Sequence, residues 1–472
     1  MQLNSEEQEP SIWSESRRSL KRETNGDDHR IAQQHDYDRL LFSTPVRRLA
    51  DKTQVFPLDP SDAVRTRLTH SHEVANLARS MGNRLLRNGR TICDGDPAGR
   101  VAHILATIGL GHDLGNPPFG HQGEAAIGHW FQQNLDVFSD PAGAVPEHLY
   151  PEFTAFEGNA QTLRILTRLQ VSAGNVGLDL TAGTLAAIMK YTVSCDQRSA
   201  ASAASKKYGY FESEHDVVFW VGKQTGIQPG ERHPLTWIME AADDIAYSIL
   251  DIEDAMKKGM LSPDDVFAII SGGLDSTYEA LKHSISTDFG KISPEGRSIG
   301  EIREIKASYL RTNLIRNLIG YAVASFEANW EAIDKRKHAR PLLDKCDLCK
   351  LLKNTAFQYV FSSTPVRCVE AEGAIALESL MTFFWNAISD REETSEIGGQ
   401  RRSAAAAYGW SLISDNYRQV AIREAYPDRH GGVLPMRYRE LRLLTDMVSG
   451  MTDGFARALH TKLVSAGHIR GK

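Results

Sequence analysis

An apolar helical run from Val101 to Leu110 feeds directly into Gly111-His112-Asp113-Leu114-Gly115-Asn116-Pro117-Pro118-Phe119-Gly120-His121-Gln122-Gly123-Glu124. This stretch constrains the chain more than any other. No helix continues through its Gly/Pro turn, so His112 and Asp113 stand side by side at a helix end. A second helical pattern starts after the turn. There His121 and Glu124, three residues apart, share a face on which a carboxylate can orient an imidazole. Two pairs of titratable groups therefore flank one rigid turn, the arrangement expected of a site rather than of an ordinary helix cap.

Composition narrows the setting. With 472 residues, 41% hydrophobic and 24% charged, the chain is globular and large enough for one big or two ordinary domains. No apolar run approaches a membrane span, and the start of the chain, with Glu6, Glu7 and Glu9, lacks a signal peptide, so a cytoplasmic protein without membrane contact is expected. Five scattered cysteines fit a reducing compartment, and Cys346 and Cys349, a CxxC without a second pair, read as two cysteines on a helix. A net charge of −6 argues against a general nucleic-acid coat, so an anionic ligand needs a local basic cluster.

Residues 1–35 are polar and charge-mixed and read as an N-terminal arm. Between Tyr37 and Leu58 the donors Arg39, Arg47, Arg48, Lys52 and Gln54 gather among apolar residues. Ser61-Asp62 is expected to cap a helix whose apolar positions run from Leu68 to Leu85 and which carries Arg67 and His70. Further helices are expected over 157–169, 180–191 and 235–256, with 198–207 read as a mobile loop. In the helix over 235–256, Asp243, Tyr247 and Asp251 recur every four residues along one stripe, and Asp244 points about 100° away from Asp243. Beyond residue 260, helical spacing covers 264–271, 274–284, 298–333, 372–388 and 437–466, and 390–408 reads as an exposed loop. With no βαβ alternation, glycine-rich phosphate loop or repeat, the fold class is all-α. The chain divides into the arm, a catalytic core over 36–260 and a helical C-terminal region over 261–472.

One His on a helix, a His-Asp pair at a helix end and an Asp on a later helix make a mixed N/O donor set. Such a set suits a divalent ion such as Mn²⁺ or Mg²⁺, with Fe²⁺, Co²⁺ or Ni²⁺ also compatible. The pattern resembles the HD phosphohydrolase superfamily. Its H…HD…D signature falls on His70, His112, Asp113 and Asp243, the last because Ala242-Asp243-Asp244-Ile245 is similar to the superfamily's A-D-x-[LI] ending.

Further blocks resemble the dGTPase family, the deoxyguanosinetriphosphate triphosphohydrolases. They are Asp51 to Leu58, Arg65 to Ser71, His112 to Glu124, Phe156 to Gln161, Glu240 to Tyr247 and, near the C-terminus, Gly450-Met451-Thr452-Asp453. Lys190-Tyr191-Thr192 departs from the family's frequent Lys-Tyr-Pro, and His72 stands where an apolar residue is common. The resemblance implies an HD-domain helical core and hydrolysis of a deoxynucleoside triphosphate to deoxynucleoside and tripolyphosphate, by attack at the α-phosphorus. It also implies His121 and Glu124 as the catalytic pair, Arg67, Lys190 and Asn116 near the phosphates, and Gln54, Tyr247 and Asp251 around the sugar. A homo-oligomer, as large as a hexamer, with an allosteric nucleotide or single-stranded nucleic acid as partner, is within the family's range. Two other readings stay open at this stage: another HD-type phosphohydrolase or phosphodiesterase, and a non-catalytic nucleotide- or nucleic-acid-binding regulator.

Overall fold

A computed structural model describes residues 9–19, 28–56, 58, 61, 63–89, 92, 99–140, 143–172, 174–423 and 426–469. The helices in its N-terminal half are α1 (Ala32–Leu41), α2 (Thr44–Arg48), α3 (Arg67–Arg87), α4 (Arg100–Gly111), α5 (Gly120–Gln133), α6 (Pro151–Thr154), α7 (Gly158–Arg164), α8 (Ala182–Ile188), α9 (His215–Thr225) and α10 (Pro234–Lys257). They continue as α11 (Pro263–Gly273), α12 (Glu279–Gly290), α13 (Ile299–Ala328), α14 (Trp330–Asp334), α15 (Asp347–Ala356), α16 (Thr364–Ser389), α17 (Ala404–Leu412), α18 (Asp415–Arg423), α19 (Met436–Ser449) and α20 (Asp453–Ser465). The fold is all-α. Among the described residues no strand forms, only isolated bridges such as Thr53 with Thr66, and no helix is long and apolar enough to cross a membrane.

Two apolar cores organise these helices. The first gathers α1, α3, α4, α8, α10, α13 and α15, and the second gathers α5, α16, α19 and α20 with Phe138, Phe153 and Phe211. The turn after α4 crosses from one core to the other, with Leu114 in the first and Phe119 in the second. Helix α4 has no side-chain cap, and packing holds it instead: Val101, Ile104, Leu105, Ile108 and Leu110 are fully buried, worth about 1.5–3 kcal/mol each. Its closest neighbour is α3. A Cβ on Gly109 would lie 2.6 Å from the Ala75 Cα, so only glycine permits this approach.

Several local expectations are revised. Helix α3 starts at Arg67, not near Ser61, because Thr66 and Thr69 form a capping box there; Asp62 lies outside the described residues. The helical pattern over 437–466 breaks at Gly450–Thr452 into α19 and α20. Residues 198–207 are held rather than loose: the Ala204 carbonyl accepts from the Thr192 N–H at 3.2 Å, and the Ala203 carbonyl accepts from Arg232 at 2.8 Å. Within 390–408, Arg391 and Arg401 are buried and α17 begins at Ala404. In the N-terminal arm, the described residues 9–19 lie irregularly along the core, with Arg17 bonded to Asp36 at 2.7 Å. Cys346 precedes α15 and Cys349 lies in its first turn, both buried, and among the described residues neither joins a group that could hold a metal.

Candidate metal centre and substrate groove

Helices α3, α4 and α10 bring together the four donors read from the sequence. Ligand atoms of His70, His112 and Asp113 all lie within 4.8 Å of one another, and they are the group among the described residues able to hold a metal ion. Asp243 joins them: its Oδ1 lies 3.3 Å from the His70 Nε2 and 3.5 Å from the His112 Nε2. The His112 Nδ1–H donates to the Gly109 carbonyl at 2.8 Å, which fixes the tautomer and leaves a buried Nε2 without a hydrogen-bond partner among the described residues. Burial opposes charge on His112, yet the Asp113 and Asp243 carboxylates outweigh it and raise the imidazole to about 9. Burial likewise opposes charge on Asp243, but His112 and His70 hold it well below the usual carboxylate range. Two imidazoles and two carboxylates around one point favour positive charge there, and the donor set fits a divalent cation. Asp244 faces away, as its helical angle requires, and bonds Lys353 at 2.6 Å.

Cations line the same centre. Arg67 pairs with Asp113 and crosses the start of α5 where a Cβ on Gly120 would meet its NH2 at 2.6 Å. The Lys190 Nζ lies 3.6 Å from Asp243 and 3.7 Å from Glu240. On α5, the His121 Nδ1–H donates to Glu124 at 2.9 Å, which raises the imidazole's affinity for a proton. The His121 side chain is 84% exposed, so a ligand can reach it, whereas Glu124 is buried and its other oxygen accepts the Gly158 N–H at 2.8 Å. Asn116 is buried in the turn.

Along α10 from Asp243 stand Tyr247 and Asp251. The Tyr247 ring stacks on Phe361, centroids 5.2 Å apart and planes 8° apart, which fixes its orientation. Asp251 is fully buried and, among the described residues, neither of its carboxyl oxygens meets a donor; burial pushes the carboxyl well above the usual range. Among the described residues, the Gln54 Oε1 is a further buried acceptor without a donor. Val55 and Phe56 pack in one cluster with Ala255, which seats the Gln54 loop against the end of α10.

Comparison with known proteins agrees with this geometry. The family model for the HD domain matches residues 67–149, a span holding His70, His112, Asp113, His121 and Glu124. A protein of Listeria monocytogenes described as a deoxyguanosinetriphosphate triphosphohydrolase-like protein is 35% identical over 450 residues, 92% of this chain and 94% of its own length. The chain belongs to the deoxyguanosinetriphosphate triphosphohydrolase family. It is an enzyme. A deoxyguanosinetriphosphate triphosphohydrolase of Klebsiella pneumoniae is 31% identical, with 91% of this chain and 93% of the other covered. A probable deoxyguanosinetriphosphate triphosphohydrolase of Pseudomonas aeruginosa is 32% identical over 89% and 90%.

In this member of the deoxyguanosinetriphosphate triphosphohydrolase family, two residues near the site escape sequence reasoning. Lys207 bonds Glu157 at 2.7 Å and adds positive charge in the field of Glu124 and His121. Set in an Ala/Ser stretch, it gives no periodic signal. Lys52, expected only as one donor among several, is buried and donates to the Asn116 carbonyl at 2.5 Å and the Ser449 carbonyl at 3.0 Å. Burial pushes its ammonium down to about 7.

Proposed function

We propose that the enzyme hydrolyses deoxynucleoside triphosphates, dGTP foremost, to deoxynucleoside and tripolyphosphate. The observation that carries this reading is Asp251. A fully buried carboxyl group two turns along α10 from Asp243, with neither oxygen hydrogen-bonded among the described residues, is costly unless a ligand supplies a hydroxyl partner. A sugar 3′-hydroxyl does so. Tyr247, whose ring stacks on Phe361, would pack against the C2′ edge of the sugar, leave a 2′-hydroxyl no room or partner and so favour deoxyribose.

His70, His112, Asp113 and Asp243 would hold the divalent ion, Mn²⁺ or Mg²⁺ by preference, with Fe²⁺, Co²⁺ and Ni²⁺ compatible with the donors. When bound, such an ion lowers the pKa of water and neutralises charge developing on a phosphoryl group. Arg67 and Lys190 supply cations for a substrate of about four negative charges, and Asn116 stands beside them in the turn. Glu124, itself anchored by the Gly158 N–H, fixes the His121 tautomer so that Nε2 is the working atom. That atom passes a proton toward the leaving 5′-oxygen or holds the attacking water.

The test is incubation of the full chain with each dNTP and Mn²⁺ or Mg²⁺ in ¹⁸O-enriched water. Tripolyphosphate carrying one ¹⁸O, with unlabelled deoxynucleoside, is the expected product. Release of phosphate, or of pyrophosphate with a deoxynucleoside monophosphate, would refute expulsion of tripolyphosphate, and ¹⁸O in the deoxynucleoside would refute attack at the α-phosphorus. We read the protein as cytoplasmic and as assembling with copies of itself, which mass measurement in solution checks.

A further inference from the structure

Phe119 closes the Gly/Pro turn with φ at 61°, a left-handed conformation that a bulky residue holds only when its surroundings impose it. His121 follows two residues later. Phe119 has two restraints. Its ring packs against α16 where a Cβ on Gly373 would meet it at 2.5 Å, and its N–H donates to the Asp453 Oδ1 at 3.1 Å. The other Asp453 oxygen accepts the Thr53 N–H at 2.9 Å, next to Gln54. Asp453 is 1% exposed.

A carboxylate at the first position of a helix is ordinarily spent on that helix. Here Thr452 caps α20, accepting the Phe455 N–H at 3.2 Å, and both Asp453 oxygens reach backbone groups more than 330 residues earlier in the chain. Neighbouring bonds reinforce the join: Thr452 donates to Asp51 at 2.5 Å, and Lys52 links the Asn116 and Ser449 carbonyls. A charged acceptor shared by two amide donors is among the stronger hydrogen-bond arrangements.

We propose that Asp453 is a positioning residue for the reaction at this site: one buried carboxylate holds the strained helix start that bears His121 in register with the loop that bears Gln54. The inference rests on the triphosphohydrolase reading for its kinetic test. A misplacement of about 1 Å at a reacting group costs on the order of 10²-fold in rate.

The experiment is a pair of mutant cycles on the full chain. Asp453→Asn is expected to lower kcat 10- to 100-fold and raise KM a few-fold, with Mn²⁺ affinity unchanged within three-fold. The kcat loss vanishes in a His121→Ala background and the KM rise vanishes in a Gln54→Ala background, because residues acting as a unit are not additive. Asp453→Glu keeps the charge but moves it by one methylene; it gives the same pattern and serves if the amide variant does not fold. A third readout needs no turnover: the ¹⁵N resonances of the His121 ring, identified by their loss in His121→Ala, shift toward those of a free imidazole. Additive losses, or unmoved resonances in a folded variant, overturn the proposal. If the wild type releases no tripolyphosphate from any dNTP, the functional reading falls and the resonances alone decide the role of Asp453.

Discussion

Gly109→Ala tests whether close approach of α3 and α4 builds the metal centre. The added Cβ would lie 2.6 Å from the Ala75 Cα and 2.8 Å from its N, backbone atoms that no rotamer change can move aside. Ordinary contact begins at 3.4 Å, so the helices must part by about 0.8 Å at this level. The displacement falls on the site, because the Gly109 carbonyl holds the His112 ring and the His70 and His112 centroids are 5.5 Å apart. Functional geometry tolerates about 0.5 Å. Overpacking costs about 1–3 kcal/mol, and in a chain this long that lowers Tm by only about 1–3 °C. We therefore expect Mn²⁺ affinity, measured by calorimetry, to fall at least 10-fold, about 1.4 kcal/mol, while the protein stays folded. Gly272→Ala is the control: it lies in α11 with nothing within 4 Å, and it should leave both quantities unchanged or raise Tm slightly. A Gly109→Ala protein that binds Mn²⁺ within two-fold of wild type would refute the reasoning.

Asp243→Ala should abolish Mn²⁺ binding, whereas Asp244→Ala, which frees only Lys353, should keep it; equal losses in calorimetric titrations would sink the choice between these neighbours. Tyr247→Ala should narrow the dGTP-to-GTP ratio of kcat/KM by roughly 5- to 150-fold, the worth of one buried unpaired hydroxyl, in competing turnover assays; an unchanged ratio places selectivity elsewhere. Burial raises Glu152 from 4.5 to about 7, against the pull of Arg442 and the Tyr438 hydroxyl. Its folded state therefore favours the protonated form, so the associated stability is full below pH 4.5 and lost as pH rises through 7. Tm measured from pH 5 to 8 should fall more steeply for wild type than for Glu152→Gln, and parallel profiles would contradict the assignment.

The four residues that converge as candidate metal donors were legible because each sits on a strongly periodic helix or at its end. Periodicity of 3.6 residues separates Asp243 from Asp244, and the structure places one at the centre and the other on Lys353. What stayed hidden depends on partners far along the chain. Arg65 and its backbone are fixed by Asp254 directly ahead of the Thr66–Thr69 capping box, so α3 starts at Arg67 instead of near Ser61. Lys207 looks like part of a loose Ala/Ser segment until the long-range bonds of Ala203 and Ala204 are seen. The Gly-Met-Thr-Asp block near the C-terminus is legible only as a resemblance, since nothing local tells that the Asp453 carboxylate meets Phe119 and Thr53.

The seven residues of α7 show why the C-terminal helices belong to the site. A helix this short is unstable alone, so tertiary contacts must hold it. Its Thr162 hydroxyl accepts the Gly115 N–H at 2.9 Å, and its Gly158 N–H binds Glu124, so α7 carries both the metal-side turn and the partner of His121. At its far end Arg164, 1% exposed, grips Asp446 of α19 with bonds of 2.7, 2.8 and 3.0 Å and Glu214 with one of 2.8 Å. A buried ion pair adds little net stability over a well-packed apolar substitute, yet removing one partner costs about 3–5 kcal/mol. Stability alone therefore does not account for it. What the planar guanidinium supplies is direction: its fork accepts one orientation of Asp446, and α7 inherits that orientation. Residues 67–149, which hold three of the four candidate metal donors, contain neither α7 nor Asp446. The turn between His112 and His121 takes its placement from α19 and α20, about 300 residues further along the chain.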